Sequence, residues 1–228
     1  MSAPVIFLPD AVLGLAVGSL LVPLTRRELA TSAVRAASPG EPLPGLDESR
    51  PPASRAQRIA LAAVSGLLPA YVLYRVGWAP NAIPPLLLLV GLVQLAYCDL
   101  KRRLLPKTLV YALSLAVIGS GVVIAVCTSE WERLFHASLG GLISFMLFFI
   151  VNLINPRWLA FGDVRLSLVF GFGLAWVSPI DLFEAFLFAN LLALFTGLVL
   201  IASRRAERTS ALPFGLFMAL GAALVLVT

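Results

Sequence analysis

The stretch Leu86-Leu-Leu-Leu-Val-Gly-Leu-Val-Gln-Leu-Ala-Tyr-Cys-Asp-Leu-Lys-Arg-Arg-Leu-Leu-Pro106 passes from an apolar run into one acid, three cations and a proline. No charge interrupts Leu86–Tyr97, and the first charged side chain met is Asp99. An apolar run that stops at a cluster of Lys and Arg reads as a helix leaving a bilayer on the face where cations gather. The whole chain repeats this theme. Of its 228 residues 60% are hydrophobic and only 13% charged, with a mean hydropathy of +0.95, whereas soluble domains carry roughly a quarter charged residues. The solvent for most side chains is therefore lipid.

Working outward from 86–106, eight apolar blocks lie near 4–24, 58–78, 83–99, 108–127, 134–154, 164–178, 180–202 and 212–228. Most approach the ~20 residues a helix needs to cross a bilayer core. Backbone groups in lipid must bond internally, so these blocks are expected to be helices. The alternation in segments of about ten residues that marks a β-barrel is missing. The expected fold is all-α, a polytopic membrane protein with about eight transmembrane helices. Its expected parts are a first helix at 1–24, a flexible loop at 25–57, and a seven-helix core over 58–228.

Lys and Arg set the orientation. Only Arg75 and Arg133 fall on one side of this arrangement, and the other fifteen of the 17 cations fall on the opposite side. By the positive-inside rule the basic loops face the cytosol and both ends of the chain face outward. The net charge of +5 is thus a mark of membrane topology, and nucleic acid is not an expected partner. No cation precedes the first apolar run, so a cleavable signal peptide is not expected. Two cysteines, Cys98 and Cys127, are too few for a disulfide framework or a four-cysteine zinc site, and are expected to be free and buried. No metal and no cofactor is expected.

Few residues can carry chemistry. The single histidine, His136, belongs near the outer face, and the sequence contains no His-Glu-x-x-His pattern. Ser138 is two positions from His136, so the two side chains diverge on one helix. Cys98 has no histidine near it to lower its pKa. Among the acids, Asp99 and Asp163 stand apart. Asp99 closes an apolar helix, where the dipole disfavours negative charge. Asp163 follows Trp158-Leu-Ala-Phe161, a stretch too apolar for a loop standing in water, and Gly162 before it permits a tight turn. The plain rival reading of Asp163 is a helix N-cap. Both acids fall on the cytosolic side, and a carboxylate held at a membrane edge costs up to ~2.5–3.5 kcal/mol. Two neighbouring carboxylates cannot both ionise easily, so one stays charged and takes a proton from water while the other stays protonated and polarises a carbonyl. That is general acid–base hydrolysis, which needs no covalent intermediate. Gly140-Gly141 and Gly171-Phe-Gly173 are expected to mark close helix packing, and Gln94, Asn152 and Asn190 to bond across helices.

With these residues in view, the chain resembles the type IV prepilin peptidases, the bacterial branch of the Gly-x-Gly-Asp membrane aspartyl proteases. The family's first motif is an Asp ending a membrane helix, then basic residues and a Pro; Asp99, Lys101, Arg102, Arg103 and Pro106 keep its spacing. The second motif, Gly-x-Gly-Asp-Val-Lys-Leu, is matched by Ala160-Phe-Gly-Asp-Val-Arg-Leu166, with Ala160 in place of the first glycine. A third, near the last helix, reads here Pro213-Phe-Gly-Leu-Phe217. The resemblance implies that Asp99 and Asp163 are catalytic. It also implies that Gly162, Ala160, Pro106, Lys101, Pro213, Phe214 and Gly215 shape the site or meet substrate. The implied activity is cleavage of a basic leader from prepilin-like or pseudopilin precursors at the cytosolic face of the bacterial inner membrane, just before the precursor's hydrophobic helix. Many members have a larger first cytosolic region with paired cysteines thought to hold zinc, and also methylate the new N-terminus. Loop 25–57 contains no cysteine, so neither zinc nor methyl transfer is expected. Two alternatives remain at this level. One is an inactive assembly factor that binds pilins. The other is a small proton- or cation-coupled transporter, disfavoured because both aspartates lie at one edge and no half-repeat is visible.

Overall fold

The computed structural model describes residues 79–102, 107–155, 161–203 and 214–227, together with positions 67, 70, 71, 73 and 159. A single 3-10 turn, Pro80–Ala82, leads into α1 (Ile83–Arg102). Then follow α2 (Lys107–Thr128), α3 (Trp131–Ile154), α4 (Phe161–Ala175), α5 (Pro179–Ala202) and α6 (Phe214–Val227). Among the described residues the fold is all-α, as the apolar blocks require. Pro84 and Pro85 sit in the first turn of α1, where a missing N–H costs nothing. The six helices correspond to the last six apolar blocks. The blocks 4–24 and 58–78 and the loop 25–57 lie outside the described residues, apart from 67, 70, 71 and 73, which are helical.

Five helices form a closed ring, in the order α1, α2, α3, α5, α6 and back to α1, and α4 stands inside it in contact with all five. The sequence of α4 gives the reason. After Arg165 it is apolar on every side but for Ser167, which suits a helix surrounded by protein, and eleven of its 15 residues are buried. At ~1.5 Å per residue such a helix is shorter than a ~30 Å bilayer core. Four others, α1 with its leading turn, α2, α3 and most of α5, are long and apolar enough to cross a membrane. Those peripheral helices turn large apolar side chains outward, among them Leu115, Phe135, Leu153, Phe183 and Phe195, the surface expected of a protein whose solvent is hydrocarbon.

The glycine pairs bear out their reading as packing devices. A Cβ on Gly141 of α3 would lie 2.9 Å from the Leu168 carbonyl oxygen of α4, and one on Gly171 of α4 would lie 2.5 Å from the Gly140 carbonyl oxygen. The backbones of α3 and α4 therefore approach closely, as small residues allow in membranes. Ser167 of α4 is fully buried at this contact and donates to the Val164 carbonyl at 2.8 Å and the Ser144 carbonyl at 3.3 Å. Leu88, Leu92 and Leu95 of α1, Phe170 and Phe172 of α4 and Met218 of α6 complete the core.

Three expectations need correction. Helix α1 continues past Asp99 to Arg102, so Asp99 lies one turn inside the helix, and Lys101 and Arg102 extend it. Cys127 is free but exposed, because a small apolar thiol facing lipid gains nothing from burial in protein. Asn190 does not reach another helix: its amide donates to the Phe186 carbonyl one turn back, at 2.8 Å. In-helix bonding satisfies that amide without a neighbour.

Candidate active site

Helix alternation divides the bundle into two ends. Helices α1, α3 and α5 finish, and α2, α4 and α6 begin, at the end that holds Asp99 and Asp163. Contacts across the helices fix this. At that end the Phe148 ring of α3 lies 5.6 Å from the Phe214 ring of α6, and the Arg165 guanidinium of α4 lies 5.6 Å from the Tyr111 ring of α2. At the other end the Trp176 indole, just past α4, donates to the Asn81 carbonyl ahead of α1 at 3.0 Å.

Both aspartates are buried, Asp99 at 6% and Asp163 at 7% relative exposure. They ride on two helices that pack together, α1 and α4, and α6 touches both. Asp99 occupies the last turns of α1, where that helix's own dipole opposes its charge. Helix α6 offsets this. Its second residue, Gly215, donates its backbone N–H to Asp99 Oδ2 at 3.0 Å, using one of the first-turn amides that a helix leaves without an internal partner. Asp163 is the third residue of α4 rather than the residue before its start, a position where the helix dipole favours a carboxylate.

The approach to α4 is held as well. The Asn152 side-chain amide of α3 donates to the Leu159 carbonyl at 2.7 Å, so this asparagine braces the segment that delivers Asp163 rather than a second helix. Two residues after Asp163, the Arg165 guanidinium lies over the Phe161 ring at 4.6 Å as well as over Tyr111. This stacking ties the start of α4 to the start of α2, and sequence reasoning missed it. Nothing in the sequence states the register that brings Tyr111 beside Arg165.

Of the site residues expected from sequence, Gly215 is joined to Asp99, and Gly162 precedes Asp163 in the first turn of α4. Phe214 anchors the start of α6 through its ring contact with Phe148. Lys101 lies in the last turn of α1. Pro106, Ala160 and Pro213 lie outside the described residues. Two buried carboxylates on adjoining helices, at one end of a membrane bundle, are equipped for proton transfer to and from a water and a carbonyl.

A model of the type IV leader peptidase family matches residues 86–203, more than half of the chain and both aspartates included. The chain belongs to the type IV leader peptidase family. It is 27% identical over 160 residues to the prepilin leader peptidase/N-methyltransferase of Stutzerimonas stutzeri, covering 68% of this chain and 53% of that protein. It is 28% identical over 159 residues to the Pseudomonas aeruginosa protein of the same name, with the same shares covered. The chain thus spans about half the length of these curated relatives. No solved structure matches it. The family match stops before α6, yet Gly215 of α6 reaches Asp99.

Proposed function

We propose that this protein is an aspartyl endopeptidase that removes the basic leader from prepilin-like or pseudopilin precursors at the cytosolic face of the bacterial inner membrane. The observation that carries this reading is the burial of Asp99 and Asp163 at one end of two packed helices. One carboxylate takes a proton from water as the water oxygen bonds to the scissile carbonyl carbon. The other, protonated, donates to the carbonyl oxygen. The C–N bond then breaks as the leaving nitrogen takes the proton held by the first carboxylate, and the re-forming carbonyl returns a hydroxyl proton to the second. Cations of a leader stay with the anionic lipid surface, which brings the bond ahead of the precursor's hydrophobic helix to the membrane boundary where the acids lie.

The same reading places loop 25–57 in the cytosol, the first helix at 1–24, and a seven-helix core at 58–228, with both chain ends outward. Methyl transfer, the second activity in the relatives' names, is not proposed for this chain, since its loop 25–57 lacks cysteine. Labelled methyl groups passing from S-adenosylmethionine to processed pilin would overturn that reading. The main test is incubation of purified protein with a prepilin. A leader-sized shift on a gel is expected, slowed by about 10²–10⁴-fold in Asp99→Asn and in Asp163→Asn. Turnover that survives either substitution in a helical, folded protein would remove the mechanism.

A further inference from the structure

Arg165 is an odd residue to find near the start of a helix. It is the fifth residue of α4, close to the end where the dipole disfavours a cation, and it is half-buried. Among the described residues no carboxylate pairs with it. It meets two rings instead, Phe161 one turn back on α4 at 4.6 Å and Tyr111 of α2 at 5.6 Å. A guanidinium is planar and more weakly hydrated than an ammonium, so it lies well against ring faces. The dipole and ring contributions are similar in size and opposite in sign, so this side chain adds little to the stability of the fold.

What it does add is a grip on rotation. At 3.6 residues per turn, positions two apart lie about 200° apart around a helix, so Asp163 and Arg165 leave α4 in nearly opposite directions. Asp163 is buried, while Arg165 reaches out to α2. Tyr111 belongs to the helix that follows α1 after residues 103–106, so the grip refers Asp163 to the corner of the bundle that carries Asp99. A helix with its side chains is about 10–12 Å across, so a turn of about 10° about its axis carries the Asp163 carboxylate about 1 Å. A misplacement of that size can cost about 10²-fold in rate. We propose that Arg165, held by Phe161 and Tyr111, is a positioning residue that fixes the rotation of the first turn of α4 and so aims Asp163, a role that rests on the peptidase reading.

Tyr111 is 56% exposed, so replacing it opens no core and its variants test the grip in a folded protein. Tyr111→Leu removes the ring and keeps an apolar side chain, and Arg165→Gln removes the cation and keeps the length. Each should lower kcat on one prepilin by about 10–100-fold, with KM almost unchanged and the midpoint of chemical unfolding hardly moved. Tyr111→Phe keeps the ring and should restore the wild-type rate. The double variant Tyr111→Leu/Arg165→Gln should be no slower than the slower single, because both remove the same contact. Arginine-selective ¹⁵N labelling reads the grip without cleavage. The Arg165 Nε–H resonance, assigned by its loss in Arg165→Gln, should move in Tyr111→Leu, where one ring current is gone, and stay near its place in Tyr111→Phe. A resonance that ignores Tyr111→Leu overturns the proposal. An equal loss of rate in Tyr111→Phe also overturns it, by assigning the effect to the hydroxyl. So does a loss confined to KM, which would make Arg165 a substrate contact. Wild-type protein that cuts no prepilin sinks the peptidase reading and the aiming role with it. An active wild type whose Tyr111→Leu variant is equally fast sinks this inference alone.

Discussion

The two ends of the bundle handle a carboxylate in opposite ways. At the end away from the aspartates Glu130, ahead of α3, pairs with the Arg133 guanidinium and accepts from the Asn81 side-chain amide at 2.6 Å, while Trp176 holds the Asn81 carbonyl. This clip ties the lead-in to α1, the start of α3 and the end of α4 together, and the acid in it is neutralised by a cation. At the other end Asp99 is more deeply buried and receives a neutral backbone amide. The Glu130 pair fastens the lead-in of one helix to the start of another, whereas the Asp99 bond joins the last turn of one helix to the first turn of another. The two acids differ most in burial, with Asp99 at 6% relative exposure and the Glu130 side chain at 31%.

The sharpest way to break this contrast is to neutralise each acid in turn. Asp99→Asn should abolish leader cleavage to within the 10²–10⁴-fold range of acid–base catalysis. Glu130→Gln should change the cleavage rate by less than about twofold, since an exposed ion pair contributes at most ~1 kcal/mol. Initial rates on one prepilin, with folding checked by circular dichroism, decide it. A Glu130→Gln protein as slow as Asp99→Asn would mean that the Glu130 clip governs the other end.

Both ends share one strut, α4, which carries Asp163 at one end and Trp176 just past the other. Gly171 lies near its middle, against Gly140 and Ser144 of α3. Gly171→Val would force the two backbones apart at a cost of about 1–3 kcal/mol, the usual range for overpacking, and cleavage should fall with it. Gly119 of α2 offers the control, for a Cβ there meets nothing within 4 Å. Gly119→Ala should be neutral or stabilising by up to ~1 kcal/mol. Chemical unfolding in detergent micelles measures both, and equal effects would show that the α3–α4 contact is not the tight one.

That strut also shows what could be read from the chain and what could not. Helix α5 and helix α4 are both largely apolar beyond their first two turns, and composition alone gives each a place in the membrane. Only packing reveals that α4 is encircled while α5 has 11% of its membrane-crossing window buried. The glycines foretold the close α3–α4 approach because a missing side chain is visible in sequence. Asp99 and Asp163 were legible because a carboxylate beside an apolar run is costly wherever it lies. The amide of Gly215 was hidden, since every residue except proline has one and only the fold aims it. Arg165 over Tyr111 was hidden for a related reason: it depends on the register of α2 against α4, which no local pattern encodes.

Support around Asp163 offers a smaller test. Asn152→Leu leaves the Leu159 carbonyl without the side-chain donor it has now. The penalty for stranding a buried carbonyl is about 1–3 kcal/mol, and Leu159 is only partly buried, so the lower end is expected. Because the loss acts on the segment leading into α4, kcat should fall several-fold with little change in KM. A selective rise in KM would instead make Asn152 a substrate contact.

The smallest effect belongs to the Glu130 clip. Arg133→Gln removes the cation from a pair whose side chains are 45% and 31% exposed. Water and salt already weaken such a pair, so the expected loss is about 0.2–1 kcal/mol, shrinking further as ionic strength rises. Asn81 still donates to Glu130 in that variant, and the clip should persist. If Arg133→Gln instead costs more than ~2 kcal/mol and ignores salt, Glu130 is desolvated as thoroughly as Asp99. The distinction between the two ends would then lie in which donors meet the acids, and no longer in how deeply the acids are buried.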